Sequence, residues 1–205
     1  MKREELNEVL RNHKRWLEGD GGERADLSNS DLRDSNLSNA DLRDLNLRNS
    51  DLRAADLRFS DLSNSDLWNS NLSNADLMNA DLRFSNLRAA NLSNSDFRYA
   101  DLMDADLSNA DLRFSDLRGA YLRNADLQYA NLRGCKGFIP GPQRSDGYQF
   151  MLQKRGRYWK VMAGCRNMTI PAYRKHVKTY DEDWKIKETI AILDYLGTRL
   201  KDIAK

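Results

Sequence analysis

The strongest constraint in this 205-residue sequence is a leucine, or once a phenylalanine, at every fifth position from Leu27 to Leu132. The series contains 22 consecutive repeats without a gap, and Phe97 is its aromatic member. Each repeat has a small residue, Asp or Asn, Leu, and then two mostly polar residues, as in Ala-Asp-Leu-Arg-Asp at 40–44. The chain must therefore bury one large side chain every five residues.

A period of five fits neither an α-helix nor a straight β-strand. On a helix, five residues turn the chain by about 500°, so successive leucines would not form one stripe. On a strand, an odd period would place alternate leucines on opposite faces. If the chain turns a corner once per repeat, every Leu can point into one interior, beside the small residue two positions earlier. The pattern therefore predicts a solenoid whose stacked coils share one core.

The sequence also indicates how many repeats close one coil. With four repeats, residue i lies under residue i + 20, and the bulky residues Trp68, Met78 and Met103 each fall between two arginines. Trp68 then lies between Arg48 and Arg88. A coil of three repeats gives arginine neighbours in only four of the six places. The sequence therefore favours four repeats per coil, with a core represented by Leu27, Leu47, Leu67, Leu87, Phe97, Leu107 and Leu127.

The repeat resembles the A(D/N)LXX motif of the pentapeptide-repeat proteins over about half of the chain. The resemblance implies a mainly β fold, a right-handed quadrilateral β-helix with the Leu and the small residue inside and the other three positions outside. At 20 residues per coil, the repeats would form a rod of about 5.5 coils and about 26 Å, given the ~4.8 Å spacing of strands. Leu45 fills a slot that elsewhere holds Ala or Ser, which predicts a local bulge or shift.

We divide the chain into four segments by pattern and composition. They are a capping helix with a Gly-rich turn (1–24), the β-helix (25–135), a breaker-rich linker (136–146) and a small α+β module (147–205). The helix at 3–18 is amphipathic, and we expect it to cover the first coil; the alternative is a helix offered to a partner groove. Its His13 is expected to pack or face solvent, not to bind metal. Cys135 fits a small interior slot, which predicts a buried thiol.

Charge is distributed unevenly along these segments. Residues 25–133 contain 12 Arg and 18 Asp, whereas residues 134–205 contain 15 basic and seven acidic residues. The chain is thus expected to be an acidic rod with a basic tail. No apolar signal segment or run of about 20 apolar residues is seen, and two cysteines are too few for a disulfide framework. We therefore expect a cytoplasmic protein that does not span a membrane.

The outer surface of the rod is the candidate interaction surface. The four-repeat register places eight aspartates in two axial columns. One column is Asp41, Asp61, Asp81 and Asp101, and the other is Asp56, Asp76, Asp96 and Asp116. Trp68, with Arg48 and Arg88, adds an aromatic and cationic group to this surface. These side chains either hydrogen-bond to the turns and pair with neighbouring arginines, or present charge to a partner. Exposed aromatic residues would add binding hot spots; they are Phe59, Phe84, Tyr99, Phe114 and Tyr129.

The C-terminal module is expected to contain a hairpin, 148–153 with 158–163, then a short helix after Thr169 and a long helix over 182–203. The long helix has one apolar stripe, which packs on the hairpin by default or pairs with a second subunit in a homodimer: Ile186, Ile190, Leu193, Leu196 and Leu200. The segment resembles a small domain of phage and bacterial proteins at 147–150, 163–166 and 188–194, a resemblance that implies no particular activity.

Nothing in the sequence indicates catalysis. A filled solenoid has no pocket, and the G-x-x-x-x-G-K-[ST], H-E-x-x-H and G-x-S-x-G motifs do not occur. Cys165 and His176, 11 residues apart, are more simply a coincidence than a nucleophile and its base. We predict no enzyme activity, no cofactor and no metal.

The predicted function is a non-catalytic scaffold that presents rigid charged faces to a protein partner. The alternative comes from the family, some of whose members resemble duplex DNA and bind DNA gyrase or related topoisomerases. The 12 arginines offset two thirds of the aspartate charge here, which weakens that analogy. A third hypothesis is nucleic-acid binding through the basic module.

Overall fold

The computed structural model of the chain describes residues 1–145, 149–155, 158–163, 166–180 and 182–203. An N-terminal helix, α1 (Arg3–Leu17), precedes the repeats. After them come strands β1 (Phe138–Gln143), β2 (Gln149–Arg155), β3 (Tyr158–Ala163) and β4 (Arg166–Met168), and helices α2 (Ile170–Val177) and α3 (Asp183–Ile203). The repeats between them form a β-helix solenoid.

Parallel backbone bridges join each coil of the solenoid to the next. The bridged residues are 20 positions apart, from Asp26 with Asn46 to Asp116 with Lys136. The leucine N–H donates to the next coil, as in Leu27 N to Asn46 O at 2.8 Å. Since 20 residues make four five-residue repeats, the coil contains the predicted four.

Each repeat contains one tight turn that begins at its leucine. The N–H three residues later donates to the leucine carbonyl, as in Ser30 N to Leu27 O at 3.3 Å. The last residue of the repeat has a positive φ, for example +57° at Asn29. A turn with its third residue in this region bends the chain sharply, and Asn is the non-glycine residue that tolerates it best. This is why a period of five can keep every leucine on the inside.

The leucines fill the interior of the coils completely. Leu67, Leu87, Phe97 and Leu107 have no exposed surface, and the other predicted core residues are also buried, namely Leu27, Leu47 and Leu127. The small residues of the repeats lie beside them. Where that residue is a buried serine, its hydroxyl donates to the leucine carbonyl three positions earlier, as in Ser50 Oγ to Leu47 O at 2.6 Å. The interior therefore contains hydroxyl groups whose hydrogen bonds are satisfied.

Leu45 does not produce the bulge that its size predicted. It is fully buried, and the bridges on either side of it, from Asp26 to Asn46 and from Asn46 to Asp66, keep the 20-residue register. Only its turn bond is long, with Leu45 N at 3.4 Å from Leu42 O. The extra volume is accommodated because its neighbours in the stack, Ala25 and Ser65, are small.

Helix α1 lies across the first coil. Leu6 is buried in the same core as the solenoid leucines, and Val9 and Leu10 pack against that core. His13 is completely buried; its Nδ1 accepts the Ala25 N–H at 3.2 Å, and its Nε2 lies 2.8 Å from Arg43 O. Because Nδ1 is an acceptor here, the ring proton is on Nε2 and is donated to Arg43. The helix is thus a cap held by apolar packing and by both ring nitrogens.

The last coil is covered by the C-terminal sheet, whose strand order is β1-β2-β3-β4 with antiparallel neighbours. Residues 138–143, interpreted from the sequence as part of a linker, instead form β1. β1 contains two prolines and is an edge strand, the position in a sheet where proline is tolerated. Met151 belongs to the solenoid core, and Gln153 Nε2 donates to Ala120 O at 3.0 Å.

The C-terminal helices pack on this sheet and form a second core. Leu193 and Leu196 are fully buried there with Phe150 and Val161, and Ile186, Ile190 and Leu200 pack against them. The apolar stripe of α3 therefore lies against the chain's own sheet, the default partner named above, and the assignment of this stripe to a homodimer interface is corrected. Thr169 caps α2, with its hydroxyl accepting from Ala172 N at 3.4 Å. Cys165 lies outside the described residues.

Candidate protein-interaction faces

The 20-residue register sorts the repeats into four stacks, which we name by their first leucine. The Leu27, Leu32, Leu37 and Leu42 stacks each contain that leucine and those 20, 40, 60 and more positions later. The Leu42 stack carries six Asp and three Arg, a net charge of −3. By the same count the Leu27, Leu37 and Leu32 stacks carry −2, −1 and 0. The solenoid therefore presents surfaces of different charge.

The aspartate and asparagine side chains of the repeats are tied to their own turns. In each repeat with Asp or Asn at its second position, Oδ1 accepts the N–H two residues later, as in Arg58 N to Asp56 Oδ1 at 3.2 Å. Since Asp and Asn both supply this acceptor, they interchange freely. The turn-bridging role predicted for the two aspartate columns is present in the structure.

Arginines hold many of these aspartates in place. In eight repeats the Arg after the leucine donates to the Asp before it, with Nη2 at 2.5–2.7 Å from Oδ2: Asp31–Arg33, Asp41–Arg43, Asp51–Arg53, Asp56–Arg58, Asp81–Arg83, Asp96–Arg98, Asp111–Arg113 and Asp116–Arg118. Weaker contacts reach the next coil, such as Arg43 Nε to Asp61 Oδ2 at 3.8 Å and Arg58 Nε to Asp76 Oδ2 at 3.6 Å. The exposed charge is therefore ordered and partly neutralised.

These pairs shift the titration of the carboxylates. The hydrogen bond from Arg58 holds the pKa of Asp56 below its usual range, and Arg118 does the same for the pKa of Asp116, with burial opposing both. A carboxylate whose pKa is lower in the folded state stabilises the fold above its unfolded pKa of about 3.9, and this contribution disappears as the pH falls through the folded value.

We therefore expect acid to lower the thermal midpoint of the solenoid. The midpoint, followed by circular dichroism, should fall as the pH is lowered from about 5 to about 2, because the paired aspartates become protonated only there. The D56N/D116N variant is the control, because Asn keeps the turn bond but does not titrate, and its midpoint should fall less. An equal fall in both proteins would contradict a role for these ion pairs.

Trp68 and Arg48 meet as the register predicted. The Arg48 guanidinium carbon lies 4.9 Å from the Trp68 ring centroid, and its Nη1 lies 3.1 Å from Asp66 Oδ2. Arg88 lies one coil further in the same stack and is exposed. In the solenoid, which is described throughout, only Arg48 of this pair forms a cation–π contact with the ring.

Five exposed aromatic residues occupy the positive-φ position of their turns, a backbone conformation that was not predicted for them. They have φ near +60° and expose more than half of their surface: Phe59, Phe84, Tyr99, Phe114 and Tyr129. The sequence could have predicted the positive φ, because Asn, which tolerates it, is the commonest residue at this position of the repeat. Glycines accommodate two of the rings: a Cβ on Gly119 would lie 2.5 Å from the Tyr99 ring, and one on Gly134 at the same distance from the Phe114 ring.

We expect the Phe59→Asn substitution to stabilise the solenoid. A left-handed backbone costs an ordinary L-residue about 1–2 kcal/mol, and Asn pays less. The gain should approach about 1 kcal/mol in urea unfolding. Phe59→Ala is the matched control, because it removes the same ring but keeps an ordinary Cβ at φ +59°. If the Asn variant unfolds at lower urea than the Ala variant, the backbone explanation fails.

Other candidate sites are accounted for by structural contacts. Cys135 Sγ donates to Leu112 O at 2.8 Å, and burial raises the pKa of its thiol. His176 lies between the rings of Tyr173 and Tyr180. Among the described residues, no group of three His, Cys, Asp or Glu is placed to hold a metal ion. No helix in the described ranges is long and apolar enough to cross a membrane.

Comparison with known proteins identifies the repeats. The family model described as pentapeptide repeats matches residues 23–58, 60–98 and 100–136, more than half of the chain. No curated protein matches the chain.

Several solved structures of repeat proteins are similar. A pentapeptide repeat protein, Rfr23, from the cyanobacterium Cyanothece 51142 is 35% identical over 42% of this chain and 58% of its own, with a TM-score of 0.42. The chain thus spans less than two thirds of that protein. The pentapeptide repeat protein alr5209 from Nostoc PCC 7120 is 32% identical over 62% and 93%, with a TM-score of 0.35. QnrB1, a plasmid-mediated fluoroquinolone resistance protein, is 21% identical over 54% and 68%, with a TM-score of 0.29.

Proposed function

The chain belongs to the pentapeptide-repeat family, and we propose that it is a non-catalytic scaffold whose charged solenoid faces bind a macromolecular partner. In finer detail, we propose a right-handed coil of quadrilateral cross-section, with one repeat on each side. The four stacks would then be four separate faces.

One observation carries this proposal: the outer side chains are held in fixed positions. The turn bonds fix the aspartates and asparagines, and the paired arginines fix the charge above them. A surface already ordered before binding loses little side-chain entropy when a partner docks. The interior of the solenoid is filled by leucines and offers no cleft of the kind that catalysis needs.

The proposal predicts where a partner will cross-link. Full-length protein used as bait in extract of its native host should capture a protein whose cross-links fall on the solenoid, residues 26–133. A quadruple variant that neutralises one aspartate column by Asp→Asn changes should capture less of it, since Asn keeps the fold through the same turn bonds. Cross-links confined to residues 149–203 would contradict the proposal.

The second candidate, mimicry of DNA toward DNA gyrase or a related topoisomerase, is favoured by the acidic Leu42 stack. Eight of the 18 aspartates are bound to an arginine in their own repeat, which reduces the likeness to a phosphate backbone. A gyrase supercoiling assay tests it. If the protein neither inhibits nor protects gyrase at high micromolar concentration, the DNA-mimic hypothesis is wrong.

Two lesser hypotheses concern the C-terminal module. Its basic excess would support nucleic-acid binding, and a salt-dependent gel shift of DNA or RNA by the full chain, lost when lysines of α3 are replaced, would support that function. A homodimer also stays a prediction, although the α3 stripe is not its interface, and a monomeric mass by light scattering would contradict it. We also propose that the protein is cytoplasmic. The C-terminal module is proposed to be related to the small domain of phage and bacterial proteins that it resembles in sequence.

A further inference from the structure

Exposed aromatic side chains concentrate around one stack of the solenoid. Tyr121 and Phe84 belong to the Leu42 stack, and Phe59 and Tyr99 occupy the turns that lead directly into it. Each of the four exposes 52–61% of its surface. The Tyr99 ring lies against Gly119, which precedes Tyr121 by two residues in the chain. Large exposed rings of this kind are enriched at protein-binding surfaces.

The same stack has the most negative net charge. Its Asp61 and Asp101 have no arginine in their own repeats and lie 3.8 Å from Arg43 Nε and 4.0 Å from Arg83 Nε in the preceding coil. Asp104 accepts an amide N–H of Asn124 at 2.7 Å and has no ion pair within the solenoid. Carboxylates next to exposed rings match a guanidinium group, which pairs with the former and stacks on the latter.

Resting on the scaffold function above, we propose that the Leu42 stack docks an arginine-rich helical segment of a protein partner. One helical turn rises 5.4 Å, close to the ~4.8 Å between coils, so arginines three or four residues apart would each meet one coil. The column of Asp61, Asp81 and Asp101, ending at Tyr121, lies beside Phe59 and Tyr99. The guanidinium groups that meet Asp61 and Asp101 would then lie beside the rings of Phe59 and Tyr99.

The length of the site follows from the cap. Helix α1 borders Asp41 in the first coil, so the open part of the stack extends from Asp61 to Tyr121. Three coil spacings span about 14 Å, which corresponds to about ten residues of helix. Negative charge on this face disfavours a nucleic-acid strand, and the column of carboxylates disfavours an apolar helix.

Binding of a designed probe tests the charge requirement. The probe is a fluorescein-labelled, alanine-based helical peptide of about 16 residues with arginine at every fourth position. We expect it to bind the full chain, measured by fluorescence anisotropy at low salt, and D61N/D101N to raise Kd about tenfold. The control D106N/D126N removes the same charge from the Leu27 stack and should change Kd less than about twofold. The pairs match in their turn hydrogen bonds, because Asp61 and Asp106 each accept a serine N–H and hydroxyl, and Asp101 and Asp126 each accept one backbone N–H.

A second pair of variants tests the aromatic requirement. Tyr99→Asn should weaken binding of the peptide about threefold or more. Phe114→Asn should not, because it removes a similarly exposed ring packed on a glycine in the Leu32 stack, whose net charge is zero. The lysine-for-arginine peptide should bind more weakly than the arginine peptide.

Several outcomes would overturn the inference. These are no binding of the peptide, equal losses in D61N/D101N and D106N/D126N, equal binding of the lysine peptide, or competition by single-stranded DNA at this face. If the peptide fails while the native partner still cross-links to residues 26–133, only this inference falls and the scaffold function stands.

Discussion

Replacement of Phe97 by alanine is expected to lower the free energy of unfolding by about 3–5 kcal/mol. Phe97 is the one aromatic residue in the interior series, and none of its surface is exposed. Alanine would leave a cavity in the middle of the solenoid, between Leu77 and Leu117 of the adjacent coils. A coil contacts only its neighbours, so the loss cannot be redistributed over the whole chain. Urea unfolding followed by circular dichroism measures the change.

Two variants make this result interpretable. Phe97→Leu restores the residue used in the other repeats and should cost less than about 1.5 kcal/mol. Phe114→Ala removes an exposed ring from the outer surface and should have a much smaller effect than Phe97→Ala. A loss below about 1 kcal/mol in Phe97→Ala would contradict a tightly filled interior.

Substitution of His13 by alanine is expected to cost about 2–4 kcal/mol and to release α1 from the first coil. The change removes a fully buried ring and leaves the Ala25 N–H and the Arg43 carbonyl without their side-chain partner. Buried groups without a partner keep their full desolvation penalty. Hydrogen exchange should become faster over residues 3–45 and remain slow in the coils around Phe97.

The control for this variant is Lys14→Ala in the adjacent, exposed position of the same helix. It changes helix propensity little and touches neither ring bond, so it should leave exchange in the first coil unchanged. If hydrogen exchange in the first coil is as slow in His13→Ala as in Lys14→Ala, the two hydrogen bonds of the His13 ring do not hold the cap in place.

The sequence was sufficient for the solenoid because one residue type repeats at one spacing. Five residues per leucine exclude both regular elements, and the arginines 20 positions before and after Met78, where a coil of three repeats would place serines, favour four repeats per coil. The aspartates also conform, since the exchange of Asp with Asn pointed to the turn bonds seen at Asp56. Local chemistry that every repeat shares can be read from one chain.

The parts that could not be predicted depend on contacts between distant residues. β1 contains Pro140 and Pro142 and resembles a linker until β2 pairs with it. Leu45 appears too large for its slot until Ala25 and Ser65 are known to be its neighbours. The buried bonds of His13 join residues 12 and 30 positions apart, which no local pattern reveals.

The bridge register has a consequence for how such a chain can change its length. Deleting five residues would keep the leucine series intact, yet every residue after the deletion would move to the adjacent stack, and the surface pattern of each stack would be lost. Deleting 20 residues would shorten the solenoid by one full coil and leave every remaining residue in its own stack. Insertions and deletions that preserve a binding surface should therefore come in steps of 20.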